Sequence, residues 1–227
     1  MKQIVVISGG SDGLGKAIAQ QLQKKYEVII LSPTSSKLSS VAKEIGVDFE
    51  KCDVSNYKDC SDAINNIVKR YKSIDVLINN AGLWIQDELD DNDPEYIKKV
   101  VKVNGLGPVY LSKVTIPVMK KQKSGTIVNI NSQGGFYAKG ERSVYSLTKW
   151  GLTGFSKSLQ LELAKYSIRV TDVHPGKMKT RMFEKMGIEK DMSDGLDPKY
   201  VAQIIEVILR LPAEVVVPEL GIKYITN

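Results

Sequence analysis

Histidine and cysteine are scarce in this 227-residue chain, which has one His and two Cys. Protein metal sites draw on clusters of His, Cys and carboxylates, and structural zinc sites need several such ligands at short spacing. Cys52 and Cys60 are too few and too far apart for a zinc site, and a single His leaves no metal cluster to assemble. We therefore expect no metal, and the low cysteine count fits a reducing, cytoplasmic location.

Long apolar runs are also missing. No stretch approaches the roughly 18 to 20 apolar residues of a membrane span, and Met1-Lys2-Gln3 leads straight into a short strand rather than into the apolar region of a signal peptide. The chain shows no repeat, linker or low-complexity segment. At 42% hydrophobic residues, it can bury the core of one large α/β domain without disulfides. We expect a single soluble domain over residues 1–227 with no membrane partner.

Charge of one sign is not concentrated anywhere. The net charge of +6 comes from 32 basic and 26 acidic residues, and the lysines are scattered, with small clusters at Lys98-Lys99 and over residues 120–123. Nucleic-acid-binding domains gather such charges into a patch or stripe. Solvated helix faces explain the same lysines here, so we expect no nucleic-acid partner.

Short apolar strands alternate with helical segments along the chain. The predicted strands span residues 3–8, 27–31, 47–52, 75–79, 126–130, 168–173 and 215–217, and the predicted helices span 14–25, 36–45, 56–71, 94–121, 143–163 and 198–211. Apolar strands that alternate with helices indicate a parallel, doubly wound sheet covered on both faces. The 94–121 helix contains Gly105, Gly107 and Pro108, which predict a bend near Asn104.

The first strand turns into the first helix through closely spaced glycines, Ser8 to Gly15 (SGGSDGLG). Such a turn lets backbone amides approach a diphosphate at a helix N-terminus, where the helix dipole also favours negative charge. The spacing differs from the commoner G-x-G-x-x-G pattern, and an ordinary tight turn would also account for it.

Tyr145 and Lys149 lie one helical turn apart in the helix predicted over 143–163, and Ser132 lies where the strand over 126–130 meets a loop. An ammonium beside a phenol favours the phenolate and would move its pKa from about 10 towards the operating pH, where it can exchange a proton with a substrate oxygen. An amphipathic surface pair would have the same spacing.

Five stretches, in order, resemble the motifs of the short-chain dehydrogenase/reductase family and cover residues 1–217. They are Ser8 to Gly15, Asp53-Val54, Asn79-Asn80-Ala81-Gly82, Ser132 with Tyr145-x-x-x-Lys149, and Pro175-Gly176 followed by Thr180. The resemblance implies a single α/β domain with a Rossmann-like, doubly wound, seven-stranded parallel sheet.

The resemblance also implies roles for four catalytic residues. Ser132 would polarise the substrate carbonyl or alcohol, and Tyr145 would act as general acid or base. Lys149 would lower the phenol pKa and bind the nicotinamide ribose. Asn104 would hold a water that links Lys149 to solvent.

A larger set would bind the cofactor. Its members are Gly9, Ser11, Asp12, Gly13, Leu14, Gly15, Ser32, Thr34, Asp53, Val54, Asn80, Ala81, Gly82, Tyr145, Lys149, Pro175, Gly176 and Thr180. By the resemblance, Asp53 would contact the adenine, residues 80–82 would pack against the cofactor, and Pro175-Gly176 with Thr180 would flank the nicotinamide. Local structure offers alternatives, because Asp53 and Thr180 could cap helices and Asn80 could tie loops together.

The cofactor is expected to be NADP, with NAD possible. NAD-specific folds of this type place a carboxylate at the end of the second strand, whereas a 2′-phosphate needs cationic or hydroxyl partners. Residues 32–37 read SPTSSK, without a carboxylate. The chain departs from NADP-type members in carrying Asp12 and Pro33 where they often have Arg, so hydroxyls of residues 34–36, with Lys37, would hold the phosphate.

The predicted activity is hydride transfer between NADP(H) or NAD(H) and a small carbonyl or alcohol. Candidate pocket residues are Trp84, Ile85, Gln133, Tyr137, Met178, Met182 and Phe183, with residues 177–197 as a lid. His174 is expected to be structural. The alternative is a catalytically weak nicotinamide-binding sensor or scaffold on the same fold. An epimerase or dehydratase would need a further domain. By resemblance, the helices over 94–121 and 143–165 would pair into a homodimer or homotetramer.

Overall fold

A computed structural model of the protein describes residues 2–184 and 187–225. Within these ranges the strands are β1 (Ile4–Ser8), β2 (Glu27–Ser32), β3 (Asp48–Lys51), β4 (Val76–Asn79), β5 (Gly125–Ile130), β6 (Ile168–Pro175) and β7 (Glu219–Ile222). The α-helices are α1 (Gly13–Leu22), α2 (Ser35–Ile45), α3 (Tyr57–Tyr71), α4 (Pro94–Val101), α5 (Gly107–Gln122), α6 (Ser143–Leu163) and α7 (Pro198–Leu209). Across the described ranges, no helix is both long and apolar enough to cross a membrane.

The strands form one parallel sheet in the order β3-β2-β1-β4-β5-β6-β7. The order reverses between β1 and β4, so the loops after these strands diverge and leave a crevice at the carboxyl edge of the sheet. Ligands of open α/β sheets bind at such a crevice. The predicted doubly wound, seven-stranded parallel sheet is confirmed.

Alternation along the strands divides the core into two layers. In β1, Val5 and Ile7 face the cluster that includes residues of α1, α2 and α7, whereas Ile4 and Val6 face the cluster that includes residues of α3, α5 and α6. Successive strand side chains point to opposite faces, so a strand buried on both sides must be apolar throughout. This explains why β1 reads as an unbroken apolar run.

The long helix predicted over 94–121 is interrupted at the expected place. Asp93 caps α4 by accepting hydrogen bonds from the amides of Glu95 and Tyr96, and a π-helical turn, Lys102–Leu106, joins α4 to α5. Pro108 has no amide hydrogen, so it cannot donate the α-helical bond to the carbonyl of Asn104 four residues earlier. The helix therefore widens locally, and the Asn104 carbonyl does not receive that bond.

The last strand was predicted in the wrong place. The structure puts β7 at Glu219–Ile222 rather than over residues 215–217. Val215 is 44% exposed, and its amide donates to the Pro212 carbonyl in a turn. The Arg169 guanidinium donates to the carbonyls of Leu211, Pro212 and Val215. The β-branched run Val215 to Val217 misled the prediction, because this preference reflects burial and packing rather than the backbone alone.

Candidate active site

Ser132 and Tyr145 meet at the carboxyl edge of the sheet. Ser132 follows β5 and caps a short 3₁₀ turn, accepting a hydrogen bond from the Gly134 amide at 3.0 Å. Tyr145 lies in the first turn of α6. A Cβ on Gly134 would lie 3.2 Å from the Tyr145 ring and 3.5 Å from Ser132 Oγ, so the two side chains are neighbours. Tyr145 and Lys149 are each only 6% exposed. The two hydroxyls are therefore close enough to contact one substrate oxygen together.

The electrostatics of Tyr145 differ from the expectation drawn from the sequence. Burial raises the pKa of the phenol above its ordinary value, while the neighbouring Ser132 hydroxyl and the charge of Arg142 act in the opposite direction. Lys149 was expected to lower this pKa, but its Nζ lies 5.7 Å from the centre of the phenol ring and donates to the Ile130 carbonyl at 3.0 Å. The phenol is thus protonated at neutral pH.

The Lys149 amine is enclosed by protein. Its burial lowers its pKa from 10.5 to about 8, and the nearby Asp172 carboxylate partly opposes this effect. Burial disfavours the charged form of an amine, whereas a carboxylate favours it. The amine therefore titrates close to physiological pH.

Asn104 lies in the π turn with its side chain fully engaged. Its Oδ1 accepts from the Leu83 amide at 2.7 Å, and its Nδ2 donates to the Leu83 carbonyl at 2.8 Å and to Thr148 Oγ1 at 3.4 Å. The side chain thus holds the segment after β4 against α6. That Asn104 holds a water linking Lys149 to solvent stays a prediction; because its side chain is engaged, its backbone carbonyl would be the acceptor.

The glycine turn between β1 and α1 can contain only glycine at its tightest points. Gly9 has φ +67°, and a Cβ there would lie 2.9 Å from the Ala81 Cα. A Cβ on Gly15 would collide with the Gly9 carbonyl oxygen. Asn80 Nδ2 donates to the carbonyls of Ser8 and Gly9, at 2.9 and 3.3 Å. The turn therefore presents backbone rather than side chains at the start of α1, which suits a diphosphate.

The polar groups beside this turn are already paired with one another. The Asp12 carboxylate caps α1 by accepting from the Gly13 amide at 2.8 Å and forms a salt bridge with Lys37 Nζ at 2.5 Å. The Ser11 hydroxyl donates to the Ser32 hydroxyl at 3.1 Å, and Thr34 occupies the N-cap position of α2. The hydroxyls of Ser11 and Ser32 and the amine of Lys37 thus lie near the carboxyl ends of β1 and β2.

The other predicted cofactor residues follow the carboxyl ends of β3, β4 and β6. Asn56, rather than Asp53, caps α3; Asp53 Oδ1 accepts from the Ser55 amide and hydroxyl, at 2.9 and 2.8 Å. Thr180 comes so close to the glycine turn that a Cβ on Gly13 would lie 3.5 Å from the Thr180 side chain. Leu14 and Val54 are buried. The Ala81 amide donates to Ser8 Oγ, and Gly82 is the next residue along the chain. Pro175 is the last residue of β6, and the Gly176 amide donates to the Ile222 carbonyl.

The predicted pocket residues divide into two groups. Trp84 and Ile85 are buried with Tyr145, and Met182 and Phe183 pack against the same cluster. Met178 packs instead against the core beside α1 and α7. Tyr137 is 63% exposed, and Gln133 donates to the His174 carbonyl at 2.8 Å. Residues 185–186 of the predicted lid lie outside the described residues.

A buried polar cluster behind Ser132 was not predicted. His174 Nδ1 lies 2.9 Å from the Ser132 carbonyl oxygen, so this nitrogen carries a hydrogen. Its Nε2 lies 3.1 Å from Asp172 Oδ2 and 3.2 Å from Glu219 Oε1, and Phe136 stacks on the ring at 3.7 Å. Asp172 and His174, two residues apart on one strand, share a face, which was a usable signal. Glu219 lay outside every predicted strand.

A family model described as short chain dehydrogenase matches residues 3–191. The chain belongs to the short-chain dehydrogenase/reductase family. The resemblance drawn from the five motifs is therefore confirmed, and the protein is an oxidoreductase of that family.

Individual proteins are also similar to this chain over most of its length. Carbonyl reductase family member 4 of Xenopus tropicalis is 34% identical over 221 residues, which cover 93% of each chain. Trans-4-hydroxycyclohexanecarboxylate dehydrogenase of Sinomonas cyclohexanicum is 30% identical over 193 residues, 80% of this chain and 74% of that protein. The closed form of a serine dehydrogenase complexed with NADP⁺ superimposes with a TM-score of 0.93 at 26% identity, covering 99% of this chain and 96% of that one.

Proposed function

We propose that residues 1–227 form an NADP-dependent dehydrogenase/reductase domain for a small carbonyl or alcohol, with Tyr145 as the general acid or base. The observation that carries the proposal is the adjacency of the Ser132 side chain to the Tyr145 phenol, which is buried beside Lys149 near a turn lined by backbone. Two hydroxyls that converge on one point suit a carbonyl oxygen, which can accept a hydrogen bond from each.

NADP is the cofactor that the site suits best. The glycine turn leaves space for a diphosphate at the start of α1, and no carboxylate follows β2 before Lys37. The serine dehydrogenase structure, at 26% identity, is complexed with NADP⁺. Ser11, Ser32 and Lys37 would hold the 2′-phosphate, with hydroxyls of residues 34–36. The bound cofactor supplies or accepts the hydride.

Each catalytic residue then has a defined task. The raised pKa keeps Tyr145 protonated, which is the form needed to donate a proton to a carbonyl oxygen during reduction. Ser132 donates a second hydrogen bond to the same oxygen. Lys149, charged below pH about 8, stabilises the phenolate left behind, and a water on the Asn104 carbonyl would link this amine to solvent.

Replacing the phenol tests the proposal directly. Tyr145→Phe removes the transferable proton without changing the shape of the ring, so kcat should fall by about 10²- to 10⁴-fold while the Kd for NADPH is unchanged. Turnover is followed at the nicotinamide absorbance with a panel of aldehydes, ketones and alcohols. Tyr137→Phe, on an exposed ring, is the matched control and should retain full activity.

Two outcomes would contradict the proposal. Wild-type turnover by Tyr145→Phe would remove this residue from the mechanism. NADPH binding with no turnover on any substrate class would instead support the nicotinamide-binding sensor or scaffold.

We also propose a homodimer or homotetramer that pairs through α6. Leu147, Trp150 and Leu161 are 64%, 52% and 81% exposed, and their spacing of three and eleven residues places them along one face of the helix. An apolar stripe of this kind marks an interaction surface more often than a solvated one.

A further inference from the structure

Trp84 connects the proposed proton donor to the segment that follows β6. Its indole is buried, and its ring centre lies 4.4 Å from that of Tyr145 and 5.0 Å from that of Phe183. The indole therefore lies next to the residue that a substrate carbonyl would have to reach. Groups beyond the indole can contact the rest of that substrate.

Two cations lie at this indole, one from the segment before α6 and one from the loop before α7. The Arg142 guanidinium carbon is 5.2 Å from the centre of the Trp84 ring, and Lys190 Nζ is 5.6 Å from it and 4.3 Å from the centre of Phe183. Arg142 precedes α6 by one residue, whereas Lys190 belongs to the loop before α7. Within residues 2–184 and 187–225, neither side chain forms a salt bridge.

This pair of cations is electrostatically unfavourable without a ligand. Burial lowers the pKa of Lys190, the charges of Arg142, Lys177 and Lys139 lower it further, and Asp194 opposes them. Asp194 itself forms a salt bridge with Lys177. Cation–π contacts compensate each cation only modestly at exposed sites. An anion between the two side chains would relieve their repulsion.

We infer that the substrate carries a carboxylate, which Arg142 and Lys190 bind at Trp84 while the reacting carbonyl or alcohol lies at Tyr145. This inference rests on the proposed function, whose substrate class it narrows to oxo acids and hydroxy acids. Arginine binds a carboxylate through two parallel hydrogen bonds, and lysine adds a point charge. The Trp84 ring centre lies 4.4 Å from that of Tyr145, 5.2 Å from the Arg142 guanidinium carbon and 5.6 Å from Lys190 Nζ, so a spacer about one aromatic ring long would separate the carboxylate from the reacting carbon.

A matched pair of aldehydes tests this specificity. 4-Formylbenzoate has its carbonyl and its carboxylate on opposite ends of one ring, and its methyl ester differs only in lacking the charge. The wild-type enzyme should have a kcat/KM at least about tenfold higher for the acid than for the ester, because a hydrogen bond to a charged group is worth this much or more.

Variants then assign the preference to the two side chains. Arg142→Gln and Lys190→Gln should each lower the acid-to-ester ratio of kcat/KM by about tenfold. The double variant should show no preference, whereas Arg142→Lys, which keeps the charge, should retain part of it. Lys165→Gln, roughly 30 Å away at the other end of α6, is the control and should leave the ratio unchanged.

A binding measurement separates this inference from the proposed reaction. Calorimetric titration of the NADP⁺-loaded Tyr145→Phe protein with benzoate and benzamide requires no turnover, and benzoate should bind about tenfold more tightly. Equal binding of the two probes, or a preference that survives in the double variant, would overturn the carboxylate site even if both aldehydes are reduced. Tighter benzoate binding without turnover of any substrate would keep this site and overturn the proposed reaction.

Discussion

Lys149 combines two demands that oppose each other at the scale of a residue. The amine must be charged to stabilise a phenolate, yet it is 6% exposed, and burial lowers its pKa to about 8. Keeping this charge inside the protein costs stability, as buried ionised groups generally do. We therefore expect that replacing Lys149 with an apolar residue raises the free energy of unfolding.

The pH dependence of stability tests this cost. Between pH about 8 and 10.5 the unfolded chain holds a proton on Lys149 that the folded chain has released, so the free energy of unfolding rises with pH in this window. Lys149→Met lacks the titration. Its stability relative to wild type should be greatest below pH 8 and should decline by up to about 3 kcal/mol as pH approaches 10.5.

Guanidinium unfolding of both proteins at several pH values from 6.5 to 10.5 measures the difference. Leu152→Ala, an uncharged change in the same helix, should alter the free energy of unfolding by the same amount at every pH. A difference between Lys149→Met and wild type that does not vary with pH would show that Lys149 is not titrating at about 8 in the folded protein.

The contacts between Asp12 and Lys37 bear on cofactor choice, which the glycine-turn motif alone does not decide. The sequence places an acidic residue where NADP-type relatives often have Arg, which by itself disfavours a phosphate. In the structure this carboxylate caps α1 and forms a salt bridge with Lys37. The carboxylate is thus partly neutralised, and Lys37, in the first turn of α2, brings its amine to the turn after β1, where the proposed 2′-phosphate would need a cation.

At the scale of elements, the π turn between α4 and α5 is the feature with the clearest consequence. A proline four residues after Asn104 removes one α-helical hydrogen bond to the Asn104 carbonyl, which by our proposal accepts a hydrogen bond from a water. π-Helical turns inside α-helices occur frequently at functional sites. Here the π turn contains Asn104, whose carbonyl belongs to the proposed proton route.

Pro108→Ala restores the missing amide hydrogen and lets a regular α-helical bond occupy the Asn104 carbonyl. We expect kcat to fall by about tenfold, as the loss of one proton-transfer partner implies, with the Kd for NADPH unchanged and the free energy of unfolding equal or higher. Steady-state kinetics measures kcat, a binding titration with NADPH measures the Kd, and chemical unfolding measures the free energy of unfolding.

Pro117→Ala is the matched control, since Pro117 lies inside α5 and away from Asn104. It should leave kcat unchanged. Equal kcat values for Pro108→Ala and wild type would mean that no proton passes by way of the Asn104 carbonyl.

At the scale of the whole molecule, the exposed apolar stripe on α6 is the surface through which we propose that two copies pair. Leu147, Trp150 and Leu161 leave three large apolar side chains in contact with solvent in a single copy. Their helix also carries Tyr145 and Lys149, so pairing through this face would support the catalytic residues from behind.

Light scattering coupled to size-exclusion chromatography tests the pairing. We expect a dimer or a larger even assembly for the wild type, and Leu147→Glu with Trp150→Glu should shift the protein towards the monomer, because a charge in an apolar interface is costly. Leu89→Glu, a change at a similarly exposed leucine outside α6, should not alter the mass. A monomeric wild type at micromolar concentration would contradict the proposal.

The sequence alone determined the order of strands and helices, the glycine turn and the residue pattern that placed Ser132, Tyr145 and Lys149 at one edge of the sheet. These features rest on local periodicity and on spacing within one helix or turn, which are present in any short window of the chain. The last strand was misplaced because a β-branched run was the only local signal there.

Only the tertiary structure decided which distant groups surround these residues. Asp172, His174 and Glu219 meet because β6 pairs with β7, and Arg142 and Lys190 meet because α6 and the loop before α7 both pack on Trp84. The direction of the Tyr145 pKa likewise depends on burial and on where the Lys149 amine points. Charge interactions and desolvation depend on distances in space, and residues far apart in sequence acquire those distances only when the chain has folded.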